Sequence, residues 1–193
     1  MKIAVLSGKG GTGKTTVSTS LFKVLDNAQY VDCDVEEPNG YIFLKPDITK
    51  SIPVKVEVPD FDRELCDGCG DCARACRFHA LALIRKKVLT FSEICHHCGV
   101  CKLVCPQGAI IYTKRAVGVI ETDVDGRFAQ GRLNIGEPIA VPVIRELKKH
   151  LRVDRDVILD CSPGASCMVV ATIEGCDYCI LVTEPTPFGL HRP

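Results

Sequence analysis

Positive charge in excess is missing from this sequence. Lys+Arg and Asp+Glu each number 24, so the formal net charge is zero. A protein that gripped nucleic acid through its phosphates would carry a basic surplus, so no nucleic-acid partner is expected. Long apolar runs are missing as well. The longest stretch free of Asp, Glu, Lys and Arg is Cys161–Ile173, and it contains Pro163 and Gly164. A bilayer-spanning helix needs roughly 18 or more apolar residues, so no membrane segment is predicted. No secretory leader opens the chain, because the apolar run Ile3–Leu6 breaks at Ser7-Gly8. These absences together predict a cytoplasmic protein, whose thiols stay reduced.

Cysteine, by contrast, is abundant: 13 in 193 residues. In a reducing compartment that many thiols point to metal or redox chemistry rather than to disulfides. Eight of them fall between Cys66 and Cys105, and they form an internal repeat. Cys66, Cys69, Cys72 and Cys76 recur as Cys95, Cys98, Cys101 and Cys105, each displaced by 29. Ala80-Leu81 recurs as Ala109-Ile110 at the same offset. A repeat of this kind means one structural unit used twice.

Outside the repeat, the pattern is strand, helix, strand. Lys2–Ser7 reads as a buried parallel strand, Lys14–Leu25 as a helix and Gln29–Asp32 as a second strand. Ile139–Leu151 has one apolar helical face, and Val157–Asp160 and Tyr178–Val182 are strand-like. Val117–Leu133 alternates weakly around Asp125-Gly126, a possible hairpin turn. The expected fold is therefore α/β, a parallel-sheet core interrupted by a small α+β module. The boundaries are 1–52 and 114–193 for the discontinuous core and 53–113 for the insert.

Gly8-Lys9-Gly10-Gly11-Thr12-Gly13-Lys14-Thr15 fits the phosphate-loop pattern G-x-x-x-x-G-K-[ST], between a predicted strand and a predicted helix. Its glycines let backbone N–H groups wrap phosphate at a helix N-terminus. Lys14 would reach the β- and γ-phosphates, and the Thr15 hydroxyl would ligate Mg²⁺. The two cysteine runs match the bacterial ferredoxin spacing C-x₂-C-x₂-C-x₃-C. Three close thiolates wrap one 4Fe–4S cluster, and the fourth serves the other cluster. Cluster one would take Cys66, Cys69, Cys72 and Cys105; cluster two would take Cys95, Cys98, Cys101 and Cys76. Zinc sites use paired C-x₂-C units with a longer spacer, a poorer match. Arg77 stands where the ferredoxin pattern has Pro, as Pro106 does in the second copy. His96 and His97 read as exposed loop residues.

The string Lys9–Thr16 resembles the deviant Walker A of MinD/ParA-type ATPases, a group that includes the nitrogenase iron protein and Mrp-type iron–sulfur carriers. The arrangement as a whole resembles a branch of that family carrying an inserted two-cluster ferredoxin domain. Beside the phosphate loop and the cysteine runs, Asp160–Gly164 and Thr183-Glu184-Pro185-Thr186-Pro187-Phe188-Gly189-Leu190 carry the resemblance. It implies that Lys9 acts across a nucleotide-dependent homodimer and that Asp34, in switch I, orients or deprotonates the attacking water. It implies that Asp160 holds Mg²⁺, through water if not directly, and that Gly164 senses the γ-phosphate. Gly8, Lys9, Gly10, Gly11, Thr12, Gly13, Lys14, Thr15 and Thr16 would bind ATP or ADP. Three functions are open under it: an ATP-gated electron-transfer protein, an iron–sulfur or metallocofactor assembly ATPase passing clusters to an apo-protein, and a MinD/ParA-like positioning ATPase with structural clusters. Of the other cysteines, Cys167 matches the place of a switch II cluster ligand, although a buried helix residue is the plainer reading. Cys176 and Cys179 are expected to be buried, and Cys33 and Cys161 are left open. The chain is short for this family and ends after a strand, so a C-terminal truncation is expected.

Overall fold

The computed structural model describes residues 1–186. Two compact units divide the chain. The first comprises Met1–Val54, Gly118–Asn134 and the segment from Ala140 on; the second comprises Lys55–Val117 and Ile135–Ile139.

The first unit is built on parallel strands. β1 (Lys2–Leu6), β2 (Ala28–Asp32), β8 (Asp156–Asp160) and β9 (Tyr178–Leu181) run parallel, and β7 (Phe128–Leu133) pairs parallel with β2. With β3 (Ile48–Phe61) and β6 (Ile110–Asp123) the sheet order is β3-β6-β7-β2-β8-β1-β9, and β6 pairs antiparallel with β7. All of β2 and the centre of β1, Ile3–Val5, are buried, as in a parallel sheet covered on both faces. Val5 lies in register with Asp160, and Asp160 with Asp32. Two carboxylates and the end of β1 therefore meet at the carboxyl ends of the strands, where ligands bind in open parallel sheets.

α1 (Lys14–Val24) covers one face. Its Leu21 and Phe22 pack with Leu25 on Ile3, Val5 and Ile158. α5 (Val141–Leu147) and α6 (Cys167–Ile173) pack together. Val143, Ile144 and Leu147 are wholly buried, each such side chain contributing about 1.5–3 kcal/mol. α5 lies so close to the sheet that a Cβ on Gly131 would come 2.6 Å from Val35 and 3.0 Å from Val143. The helix expected over 139–151 is shorter than its apolar pattern. Pro142 sits in its first turn, and after Leu147 the chain tightens into a 3₁₀ turn, Lys148–His150.

The second unit is a doubled motif. It holds α3 (Asp71–Ala75), the hairpin β4 (Leu81–Ile84) with β5 (Lys87–Thr90), a 3₁₀ turn at Ser92–Ile94, and α4 (Val100–Leu103). The backbone repeats with the sequence. Gly70 and Gly99 precede the two helices at φ 79° and 76°, and Gly68 and His97 are left-handed at φ 73° and 54°. Asp62 N–H donates to Ala109 O, and Phe91 N–H to Ala80 O, both at 2.8 Å. His97 departs from glycine at a left-handed position, and Glu57 O holds its Nδ1 at 3.0 Å. Among the described residues no helix is long and apolar enough to cross a membrane.

Candidate functional site

The loop between β1 and α1 carries left-handed glycines where the phosphate motif places them. Gly11 and Gly13 have φ 83° and 88°, and a Cβ at either would meet nothing within 4 Å. Conformation alone therefore demands glycine there. Gly13 ends the loop and Lys14 begins α1. The surrounding pocket, of about 410 Å³, is lined by Ser7, Gly10, Gly11, Gly13, Lys14, Thr15, Thr16, Asp34, Glu37, Asn39, Phe43 and Pro163.

Lys14 is 7% exposed, and its ammonium lies 2.5 Å from Oδ1 of the wholly buried Asp160. The other carboxylate oxygen accepts from the Tyr30 hydroxyl at 2.8 Å. Alternation along β2 puts Tyr30 and Asp32 on one face, beside Asp160 of the neighbouring strand. Asp32 accepts from the N–H groups of Asp34, Asn39 and Gly40 and so shapes the loop after β2. Burial, then the charge of Asp160, pushes the Asp32 carboxyl up to about 7. Burial also raises Asp34, and the Lys14 charge works against that rise.

Three polar atoms here are buried without a hydrogen-bond partner: Ser7 Oγ, Thr12 Oγ1 and Asn39 Oδ1. Such atoms are costly unless a ligand completes them. Together with the glycine loop, the helix N-terminus and the Lys14 ammonium they fit a polyphosphate with its cation. Thr15 would hold the cation directly. Asp160 has both oxygens occupied by Lys14 and Tyr30, and Gly164 N–H donates to Ser7 O at 2.8 Å, so neither is turned to the pocket. Lys9 Nζ lies 2.8 Å from Glu184 Oε2. Pro187–Leu190, the rest of that C-terminal motif, lies outside the described residues. Sequence reasoning missed Tyr30, Glu37, Asn39, Phe43 and the partner role of Glu184. Only the period-two placement of Tyr30 ahead of Asp32 could have signalled any of them.

In the second unit the eight cysteines of the repeat lie near one another in two groups. Burial raises the Cys72 thiol, and Cys105, Cys66 and Cys69 are near enough to add to the rise. Burial likewise raises Cys95, with Cys76 and Cys98 adding, and Cys101, with Cys95 and Cys98 adding. Cys76, Cys95, Cys98 and Cys101 line a narrow cleft with Phe78, Leu81 and Tyr112 among its apolar walls. Among the described residues no three His, Cys, Asp or Glu side chains converge on a point that one metal ion could fill. A cubane asks for something else, four thiolates around a volume, each on its own iron. The donor set, four thiols lining one cleft, is the chemistry such a group takes. His96 is exposed and stacks on Phe78 at 3.5 Å between ring centres, and His97 is half-buried.

The remaining cysteines correct two expectations. Cys179 is exposed and Cys176 half-buried, because β9 is the edge of the sheet. Cys167 is exposed at the first residue of α6, not buried in a helix. Cys33 and Cys161 are wholly buried at the ends of β2 and β8.

A parallel sheet with a glycine phosphate loop at its carboxyl edge defines a P-loop nucleotide-binding protein. The sequence model of the CbiA family, described as the CobQ/CobB/MinD/ParA nucleotide binding domain, matches residues 3–158. The chain belongs to this family. Two relatives from Methanocaldococcus jannaschii, the uncharacterized proteins MJ0579 and MJ0578, are each 33% identical over 198 residues. The alignments cover 98% and 99% of this chain and 71% and 70% of theirs. Among solved structures, the septum site-determining protein MinD of Pyrococcus horikoshii, complexed with Mg-ADP, is 18% identical at a TM-score of 0.49. The cell division ATPase MinD of Pyrococcus furiosus is 18% identical at 0.46. Each match covers 99% of this chain, which spans 60% and 62% of the two structures.

Proposed function

We propose that the chain is a Mg²⁺-dependent ATPase of the MinD/ParA type whose second unit binds two 4Fe–4S clusters. The observation that carries the first half is the buried Lys14–Asp160 pair at the mouth of the phosphate loop. Lys14 exchanges one anionic partner for another. When phosphate enters, the Lys14 ammonium would pass from Asp160 to the phosphate oxygens, and the freed Asp160 carboxylate and the Thr15 hydroxyl are the groups that would hold the cation. The magnesium ion supplies charge neutralisation for phosphoryl transfer. Asp34, half-exposed in the pocket wall, orients the attacking water and accepts its proton. The burial that raises the Asp34 carboxyl suits it to that task. Lys9 is held by Glu184 within the chain, so acting on a partner's nucleotide in a homodimer requires that pair to open. Glu184 thereby couples to the nucleotide state.

The test is nucleotide binding and turnover in Lys14→Ala, with circular dichroism confirming the fold. Both activities should be lost and the iron content kept. Turnover surviving in the purified variant defeats the phosphate-loop assignment.

The doubled unit carries the second half, with its two quartets Cys66, Cys69, Cys72, Cys105 and Cys95, Cys98, Cys101, Cys76. Family membership favours a positioning-type ATPase for the nucleotide half. Nucleotide-gated electron transfer is the second reading, supported by two cluster sites within one small unit. Reduced spectra recorded with and without MgATP separate them: a nucleotide-dependent shift selects electron transfer, and identical spectra select clusters of structural role.

A further inference from the structure

Asp160 has two buried donors, and they differ in what else they can reach. Lys14 begins α1 and lines the phosphate pocket, so its ammonium has a second anion to turn to when a nucleotide arrives. Tyr30 has none. It is wholly buried in the middle of β2, and among the described residues its hydroxyl makes one hydrogen bond, to Asp160 Oδ2 at 2.8 Å. Gly40 closes over that hydroxyl, since a Cβ there would come 2.3 Å from its oxygen and 2.6 Å from Cζ. The ring is fixed as well. Phe22 meets it edge-on at 6.0 Å between centres, and Phe128 stacks on it at 5.8 Å, nearly parallel at 14°.

The two bonds to Asp160 therefore fare differently when nucleotide binds. Lys14 releases Oδ1. Tyr30 keeps Oδ2, because a phenol O–H sealed from water and left without an acceptor is costly. With one oxygen pinned, the carboxylate cannot turn about its Cβ–Cγ bond.

We propose that Tyr30 is a positioning residue of the nucleotide site: its hydroxyl fixes the plane of the Asp160 carboxylate, so that Oδ1, once released by Lys14, serves the cation in a single orientation. The proposal rests on the ATPase reading above and adds to it the group that orients Asp160. Phenylalanine at position 30 keeps the packing on Phe22 and Phe128 and loses only this control. Phosphoryl transfer depends on exact placement of the charges around the phosphate, so misplacement lowers the rate. Affinity comes chiefly from the glycine loop and Lys14, which the Tyr30 hydroxyl does not touch.

The test compares the wild type, Tyr30→Phe and Ile144→Val, the last weakening the buried core on α5, outside the phosphate pocket. Two quantities are measured at a temperature where circular dichroism shows all three folded. One is ATP turnover in Mg²⁺; the other is the electron paramagnetic resonance spectrum of the chain with Mn²⁺ and ADP, whose zero-field splitting reports how the cation is held. Tyr30→Phe should lower kcat about tenfold and leave KM within about twofold. Its Mn²⁺ spectrum should differ from the wild type's, and Ile144→Val should match the wild type in both. A wild type that neither hydrolyses ATP nor binds Mn²⁺ with ADP overturns the parent reading. An active wild type with kcat unchanged in Tyr30→Phe, or with kcat lowered and the Mn²⁺ spectrum unmoved, overturns this proposal alone. So does an Ile144→Val chain that loses as much turnover. Should Tyr30→Phe fail to fold, Phe128→Leu decides, because it frees the ring from its stack and keeps the hydroxyl: turnover and spectrum at wild-type values overturn the proposal.

Discussion

Asp160 is held between two donors, the Lys14 ammonium and the Tyr30 hydroxyl, with no access to water. Each donor has a separate consequence. Lys14→Ala leaves a buried carboxylate without its counter-charge, at a cost of about 3 kcal/mol that urea unfolding should register. Tyr30→Phe removes only a hydrogen bond and should cost about 1–3 kcal/mol, with nucleotide binding retained. Asp32 adds a pH dependence. Its carboxyl is raised from 3.8 to about 7, chiefly by burial. Between those values the folded chain keeps a proton that the unfolded chain has lost, so stability falls as pH rises from about 4 to about 7. Asp32→Asn cannot ionise. Its melting temperature should vary less across that window than the wild type's, and parallel curves would place the raised carboxyl elsewhere. The glycines, Lys14 and Asp160 were legible in the sequence because loop chemistry is written in consecutive residues. Tyr30 was not, because a buried tyrosine in a strand resembles any other apolar residue until its neighbour is known.

At the scale of elements, close approach decides more than propensity. α2, the short helix Gly40–Leu44, begins against Tyr30, and a Cβ on Gly40 would come 2.3 Å from its hydroxyl oxygen. Gly40→Ala should therefore cost about 1–3 kcal/mol by overpacking. It should also shift the loop that Asp32 holds through the Asn39 and Gly40 N–H groups, and with it Asn39 and Phe43 of the pocket wall, weakening nucleotide affinity where Tyr30→Phe does not. Equal stability and affinity in Gly40→Ala and the wild type would show that α2 moves freely off the sheet. Helix extent was misjudged over 139–151, where apolar spacing continued past the point at which the chain turns. Periodicity reports which residues face the core, and a 3₁₀ turn after α5 preserves that facing without continuing the helix. The edge position of β9 was also invisible: the run Tyr178–Val182 is apolar, yet Tyr178 and Cys179 are exposed.

At the scale of the whole molecule, the doubled unit makes a prediction about pairs of cysteines. If the fourth thiolate of each run serves the other cluster, Cys66→Ala with Cys105→Ala should remove half of the iron. Cys95→Ala with Cys105→Ala should remove more, because it strikes both quartets. Iron counts on anaerobically purified variants check this, and equal losses would refute the crossed assignment. The sequence alone determined the phosphate loop, the cysteine spacing with its repeat of 29 and the α/β pattern, each a matter of neighbours along the chain. Tertiary structure decided the rest: that Lys9 meets Glu184, 175 residues away, that Lys14 and Tyr30 share Asp160, and that Cys105 lies beside Cys72. The physical reason is that these contacts join strands and loops whose adjacency arises only when the chain buries its apolar faces. No local pattern records which distant residue will be there.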